Sequence, residues 1–94
     1  MSHSTKGSRY ERRAKKLLES KGYYVMKSGG SRGAFDLIAA NNQTVKFIQV
    51  KAGVARVSPS ERLIIENILF PPYCTKEIWT WKEYQKEPNI EIVN

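Results

Sequence analysis

The chain has a single cysteine, Cys74, among 94 residues. It can form no internal disulfide, and it holds no Cys/His group of the zinc type. Its apolar runs fall far short of the ~20 residues that a membrane-crossing helix needs. The opening MSHSTKGSRYERR lacks the apolar core of a signal peptide. A reducing, cytoplasmic setting with no membrane partner is therefore expected. Repeats, low-complexity tracts and linkers are also lacking. The length fits one domain over 1–94, with residues 1–6 expected to be flexible. A chain this short buries only about 60–65% of the surface it exposes when unfolded, and small domains often gain buried area by dimerising.

Acidic residues are scarce in one region only. Residues 1–32 hold nine Lys and Arg against Glu11 and Glu19, a balance of +7, while residues 33–94 hold seven of each sign. The whole net charge of +7 thus sits in the first third. Such a concentrated positive field suits a polyanion, and nucleic acid is favoured. Lys6, Arg9, Arg12, Arg13, Lys16, Lys27 and Arg32 are the candidate phosphate contacts. An anionic membrane surface fits less well. The N-terminal helix predicted below carries a narrow apolar stripe with no Trp or Phe on it.

The pattern predicts a small mixed α/β fold. Ser8 with Glu11 three residues on has the spacing of a capping box, and Gly22 is a helix stop. Between them Tyr10, Ala14, Leu17 and Leu18 form one stripe. YYVMK (23–27), AFDLIAA (34–40), VKFIQVK (45–51) and EIWTWK (77–82) read as strands, and NIEIV (89–93) as a further one. NNQT makes the second and third a hairpin. Ser58-Pro59-Ser60-Glu61 opens another helix, with proline at its first position and a second capping box. RLIIENILF is apolar around much of that helix, so a sandwiched position or an interface is expected, with Pro71-Pro72 as its stop. The expected order is α-β-β-β-α-β, a mixed sheet flanked by helices.

Four polar side chains can converge on this frame. Asp36 is a lone acid between Phe35 and Leu37. Gln49 and Lys51 share one strand face, about 6.6 Å apart. Glu11 lies about 100° round its helix from Tyr10, at the edge of the apolar stripe. Mg²⁺ takes hard oxygen ligands. Asp36 would be the central one, with the Gln49 amide oxygen, the Val50 carbonyl and Glu11 beside it. Lys51 would stabilise the charge that develops on a phosphate under attack. Each residue also has an ordinary reading. Glu11 can complete the Ser8 box, Asp36 can pair with an arginine, and Gln49 with Lys51 can be a polar face at a sheet edge. The joint order, helix Glu, strand Asp, strand Gln-x-Lys, points to metal-dependent phosphodiester hydrolysis.

These residues carry a resemblance. Lys6-Gly7-Ser8-x-x-Glu11-Arg12, Gly22-Tyr23-x-Val25 before Lys27, Ser31 in the polar turn, Asp36-Leu37-Ile38-Ala39 and Ile48-Gln49-Val50-Lys51 resemble the archaeal Holliday-junction resolvases of the PD-(D/E)XK nuclease superfamily. The likeness covers residues 6–51 and implies a restriction-endonuclease-like core. It implies Glu11, Asp36 and Lys51 as catalytic residues, a metal ligand at position 49 and a phosphate-positioning role for Ser31. It also implies Mg²⁺, with Mn²⁺ as a substitute, and a homodimer nicking four-way DNA junctions. Helix 61–69 and the Trp79/Trp81 pair would suit such a dimer. Phe35 stands where many members have proline, and Gln49 stands where most have glutamate. The second departure removes one negative charge and keeps an oxygen ligand. Two rivals remain: a nuclease of the same fold acting on flaps, nicks or duplex, and an inactive DNA-binding module.

Overall fold

The computed structural model describes residues 5–28, 34–82 and 85–93, with side chains from residue 9 onward. The elements run α1 (Thr5–Ser20), β1 (Tyr24–Lys27), β2 (Leu37–Ala40), β3 (Val45–Ala52), α2 (Pro59–Asn67), β4 (Cys74–Trp81) and β5 (Asn89–Val93). The strands form one sheet in the order β1-β2-β3-β4-β5. All neighbours are antiparallel except β3 and β4, which are parallel, as a strand pair joined by a crossover helix must be. The expected order holds, with β5 as the optional last strand.

Helix α1 ends as its sequence requires. Gly22 sits at φ 93°, where a side chain would be strained. The Tyr23 N–H donates to the Leu18 carbonyl at 3.1 Å and the Gly22 N–H to Glu19 at 3.0 Å, the paired bonds of a Schellman stop. Its beginning differs from expectation. The helix already includes Thr5 and Lys6, so Ser8 is its fourth residue and not its cap. Residues 1–4 lie outside the described residues. Glu11 is therefore not held by a capping box with Ser8.

The second capping box is realised in full. The Glu61 N–H donates to Ser58 Oγ at 3.1 Å, and the Ser58 N–H donates to Glu61 Oε1 at 2.9 Å. Helix α2 stops at Asn67, ahead of Pro71-Pro72. There the Lys76 ammonium takes over its last carbonyls, donating to Ile65, Glu66 and Ile68 at 2.8–3.1 Å. A buried lysine in the next strand thus satisfies the orphan acceptors of the helix end.

Strand alternation divides the core in two. Ile48, Val50, Leu37, Ala39, Trp79 and Trp81 face α1 and pack on Tyr10, Ala14 and Leu18. Ile78 and Val93 pack with Phe35 and Ile65, flanked by Phe47 and Phe70. Phe47 and Phe70 stack at 4.0 Å, and Phe35 lies 5.6 Å from Phe47. The phenylalanine at position 35 thus anchors an aromatic cluster.

Two expectations about apolar residues change here. Trp79 and Trp81 are buried within the chain, against α1, and offer no surface to a partner. Helix α2 is not sandwiched: Ile65 alone is buried, while Leu63 and Ile64 are exposed. Arc 41–44 closes the expected hairpin as an Asx turn. Asn41 Oδ1 accepts from the N–H groups of Gln43 and Thr44, both at 2.9 Å.

Candidate active site

Asp36, the third residue of the expected strand 34–40, stands one residue before the observed β2. Its N–H donates to the Ile48 carbonyl at 2.8 Å, and its Oδ2 accepts the Val50 N–H at 2.8 Å. Two backbone bonds therefore fix this carboxylate against β3. Gln49 and Lys51 alternate with Ile48 and Val50, so they leave β3 on the face away from α1. In the parallel register Gln49 lies opposite Ile78 and Lys51 opposite Thr80. Gln49 Oε1 is buried and has no hydrogen-bond partner. A buried oxygen of that kind costs free energy unless something binds it.

Lys51 is 20% exposed, and its ammonium lies 3.3 Å from Glu61 Oε2 at the start of α2. Glu11 reaches the site from the other layer. Its Oε1 is 3.7 Å from the Lys27 ammonium, and its side chain is 23% exposed. The acids repel one another. Burial, then the charge of Asp36, raises the Glu11 pKa above the ordinary value of 4.5, against the pull of Lys27. Burial also raises Asp36 above 3.8. The Val50 N–H and the charge of Lys51 oppose that rise, and the charge of Glu61 adds to it. Groups that hold protons this readily are under-neutralised, and a cation can replace the proton.

Asp36 is thus the link: it lies within electrostatic reach of Glu11 from α1 and of Lys51 from β3, with Gln49 one position before its Val50 contact. Among the described residues, no three Asp, Glu, His or Cys side chains form a metal-binding group. The candidate donors are the carboxylates of Glu11 and Asp36 and the Gln49 amide oxygen, with the Val50 carbonyl expected from the sequence, all hard oxygens. This set, with the buried and unpartnered Gln49 Oε1, fits a divalent hard cation. Ser31 and Arg32 lie outside the described residues, and so does the side chain of Lys6.

The basic candidates separate into two groups. Arg9, Arg12, Lys16 and Lys27 are exposed. Arg13 is committed within the molecule. Its guanidinium lies over the rings of Tyr10 and Trp81, at 5.1 and 5.4 Å, and donates to the carbonyls of Gln85 and Lys86. Its expected role on phosphate gives way to a clamp between α1 and the segment before β5. In the sequence Glu61 reads only as a helix cap. Its nearness to Lys51 has one sequence signal: the first turn after a parallel strand lies near that strand's C-terminal end.

A sequence profile of the archaeal Holliday junction resolvase (Hjc) family matches residues 2–63. The chain belongs to this family. The matched stretch contains Glu11, Asp36, Gln49, Lys51 and Glu61. The chain is 46% identical over 46 residues to the crossover junction endodeoxyribonuclease Hjc of Methanocaldococcus jannaschii, spanning 49% of this chain and 34% of that protein. It is 30% identical over 60 residues to a UPF0102 protein of Thermotoga petrophila, spanning 62% of this chain and 56% of that one. It therefore spans about a third to just over half of the length of these relatives. The fold is similar to that of Archaeoglobus fulgidus Hjc, a Holliday junction resolvase from an archaeal hyperthermophile. The TM-score is 0.72 at 19% identity, covering 94% of this chain and 71% of that one. At that identity the likeness concerns the fold. Resolvase-type nucleases such as the Hjc family are generally metal-dependent.

Proposed function

We propose that this chain is a Mg²⁺-dependent endonuclease of branched DNA, cutting four-way junctions as a homodimer. The observation that carries the reading is Asp36, fixed on the Val50 amide beside the buried, unpartnered oxygen of Gln49, with Lys51 two residues on. Asp36, Gln49, the Val50 carbonyl and Glu11 would hold the cation. Bound there, it supplies Lewis acidity and a water of lowered pKa. Lys51 presents its ammonium to the scissile phosphate and offsets the charge that builds up as the phosphate is attacked. The exposed Arg9, Arg12, Lys16 and Lys27 hold flanking phosphates, which positions DNA without reading its sequence. The exposed Leu63 and Ile64 of α2 offer an apolar face for a second protomer.

A labelled four-way junction and a linear duplex of the same sequence test the substrate. Paired symmetric nicks in the junction alone, lost in Asp36→Ala, support the reading. Equal cutting of both would point to a nuclease of other DNA. A second reading, a DNA-binding module without cleavage, is favoured by one observation: the described residues gather no group of three acidic or histidine ligands. Tight, salt-sensitive junction binding without nicks in Mg²⁺ or Mn²⁺ would establish it.

A further inference from the structure

The metal-binding role of this site needs a negative surplus, and Gln49 supplies none. Two lysines, Lys27 and Lys51, sit against it. With Glu11 and Asp36 alone the formal charge would be zero, a poor attractor for a divalent ion. Glu61 changes the sign. It comes from α2, outside the ligand set, and lies 3.3 Å from Lys51. The capping box fixes its other oxygen on the Ser58 N–H, so the carboxylate is held by the helix start and does not wander. Three carboxylates against two lysines leave the site at −1.

We propose that Glu61 is a positioning residue of this active site: from the first turn of α2 it holds Lys51 and supplies the negative charge that a glutamate at position 49 would have given. The inference rests on the metal-dependent reading above. Glu61 acts in two ways. It fixes the ammonium where the phosphate arrives. It also screens that ammonium from the cation, which Lys51 would otherwise repel. Its carboxylate is held 3.3 Å from the Lys51 ammonium by the α2 cap, so its negative charge stays beside the lysine that flanks the cation's place.

The test relocates the charge and reads metal binding directly, by titrating Mn²⁺ against the intact chain and following the free-ion signal by electron paramagnetic resonance. Glu61→Gln keeps an oxygen for the Ser58 N–H, so the capping box survives. It should weaken Mn²⁺ binding about tenfold, the scale of one unit charge acting on a divalent ion a few ångströms away in a water-rich site. Gln49→Glu should tighten it by a similar factor. The double variant returns the charge to −1 and should bind within about threefold of the natural chain. Ser58→Ala removes only the Oγ acceptor of the cap and keeps the backbone N–H that holds Glu61 Oε1, so its Mn²⁺ affinity should stay unchanged. A folded Glu61→Gln chain that cleaves DNA and binds Mn²⁺ as tightly as the natural one would overturn the inference and leave the nuclease reading standing. A double variant that binds no better than Glu61→Gln would also overturn it. A natural chain that neither binds Mn²⁺ nor cleaves would overturn both.

Discussion

Glu77 in β4 and Asp36 just before β2 are carboxylates on either side of the same central strand, β3, and they are opposites. Glu77 is 1% exposed and fully engaged. It accepts from the Lys46 ammonium at 2.8 Å, from Thr75 Oγ1 at 2.6 Å and from the Trp79 indole N–H at 2.8 Å. Its burial is offset by these donors, and the net effect lowers its pKa below 4.5. Asp36 has one backbone donor, a lysine shared with Glu61, and two acidic neighbours, and its pKa is raised. A buried acid with three donors is a structural element. A half-buried acid left short of donors among other acids is a candidate place for something else to bind. The difference lies in the partner set, since both acids are substantially withdrawn from water.

The largest effect that can break this comparison is catalytic. Asp36→Ala should lower junction cleavage at least about a thousandfold while the chain stays folded, measured in single-turnover assays beside circular dichroism. If Asp36→Ala kept a tenth of the natural rate, Asp36 would not be the site's centre.

Next in size, Glu77→Ala should do the reverse. It strands Lys46, Thr75 and the Trp79 N–H and should cost about 3 kcal/mol of stability. That lowers the melting temperature by roughly 10–20 °C for a domain of this length. Cleavage per folded molecule should be unchanged, which a calorimetric scan paired with an activity titration can establish.

The two acids should also respond to pH with opposite signs. The lowered pKa of Glu77 gives stability that is present above pH 4.5 and is lost as pH falls through the depressed value. The raised pKa values of Asp36 and Glu11 give stability that is present below about pH 4 and is lost as pH rises through the raised values. In the presence of a chelator, Asp36→Asn should therefore stabilise the chain at pH 8 by up to about 1 kcal/mol, with no gain at pH 3.5. Melting curves at the two pH values check this, and equal shifts at both would contradict it.

The smallest effect concerns the basic face. Arg12→Ala should weaken junction binding modestly and lower the slope of log affinity against log salt by about one. Arg13→Ala should instead lower the melting temperature, since its guanidinium is spent on Tyr10, Trp81 and two carbonyls. Fluorescence anisotropy across a salt series separates them.

Much of this was legible in the sequence, because it rests on local chemistry. The Ser58–Glu61 box and Gly22 mark helix ends with signals that span four residues or fewer. The period-2 pattern in 45–51 puts Gln49 and Lys51 on one face, and the joint Glu, Asp, Gln-x-Lys order points to the candidate site. What escaped depends on distant partners. The real start of α1 overrode the Ser8–Glu11 spacing, so an identical motif was realised at one helix and absent at the other. The tryptophan pair read as an interface because nothing local says that α1 will cover it. Arg13 looked like its exposed neighbours, and its ring partners lie across the fold. The Glu61–Lys51 contact and the Lys76 cap of α2 both join a helix to a strand through the parallel crossover, and alternation alone does not give that geometry.

On the proposed reading, a glutamine serves as a working ligand beside Asp36. The most direct test is the Mg²⁺ dependence of junction cleavage by the natural chain and by Gln49→Glu. Both should cleave, with Gln49→Glu reaching a similar maximal rate at lower Mg²⁺. Cleavage by Gln49→Glu alone, with none by the natural chain at any Mg²⁺ concentration, would contradict it.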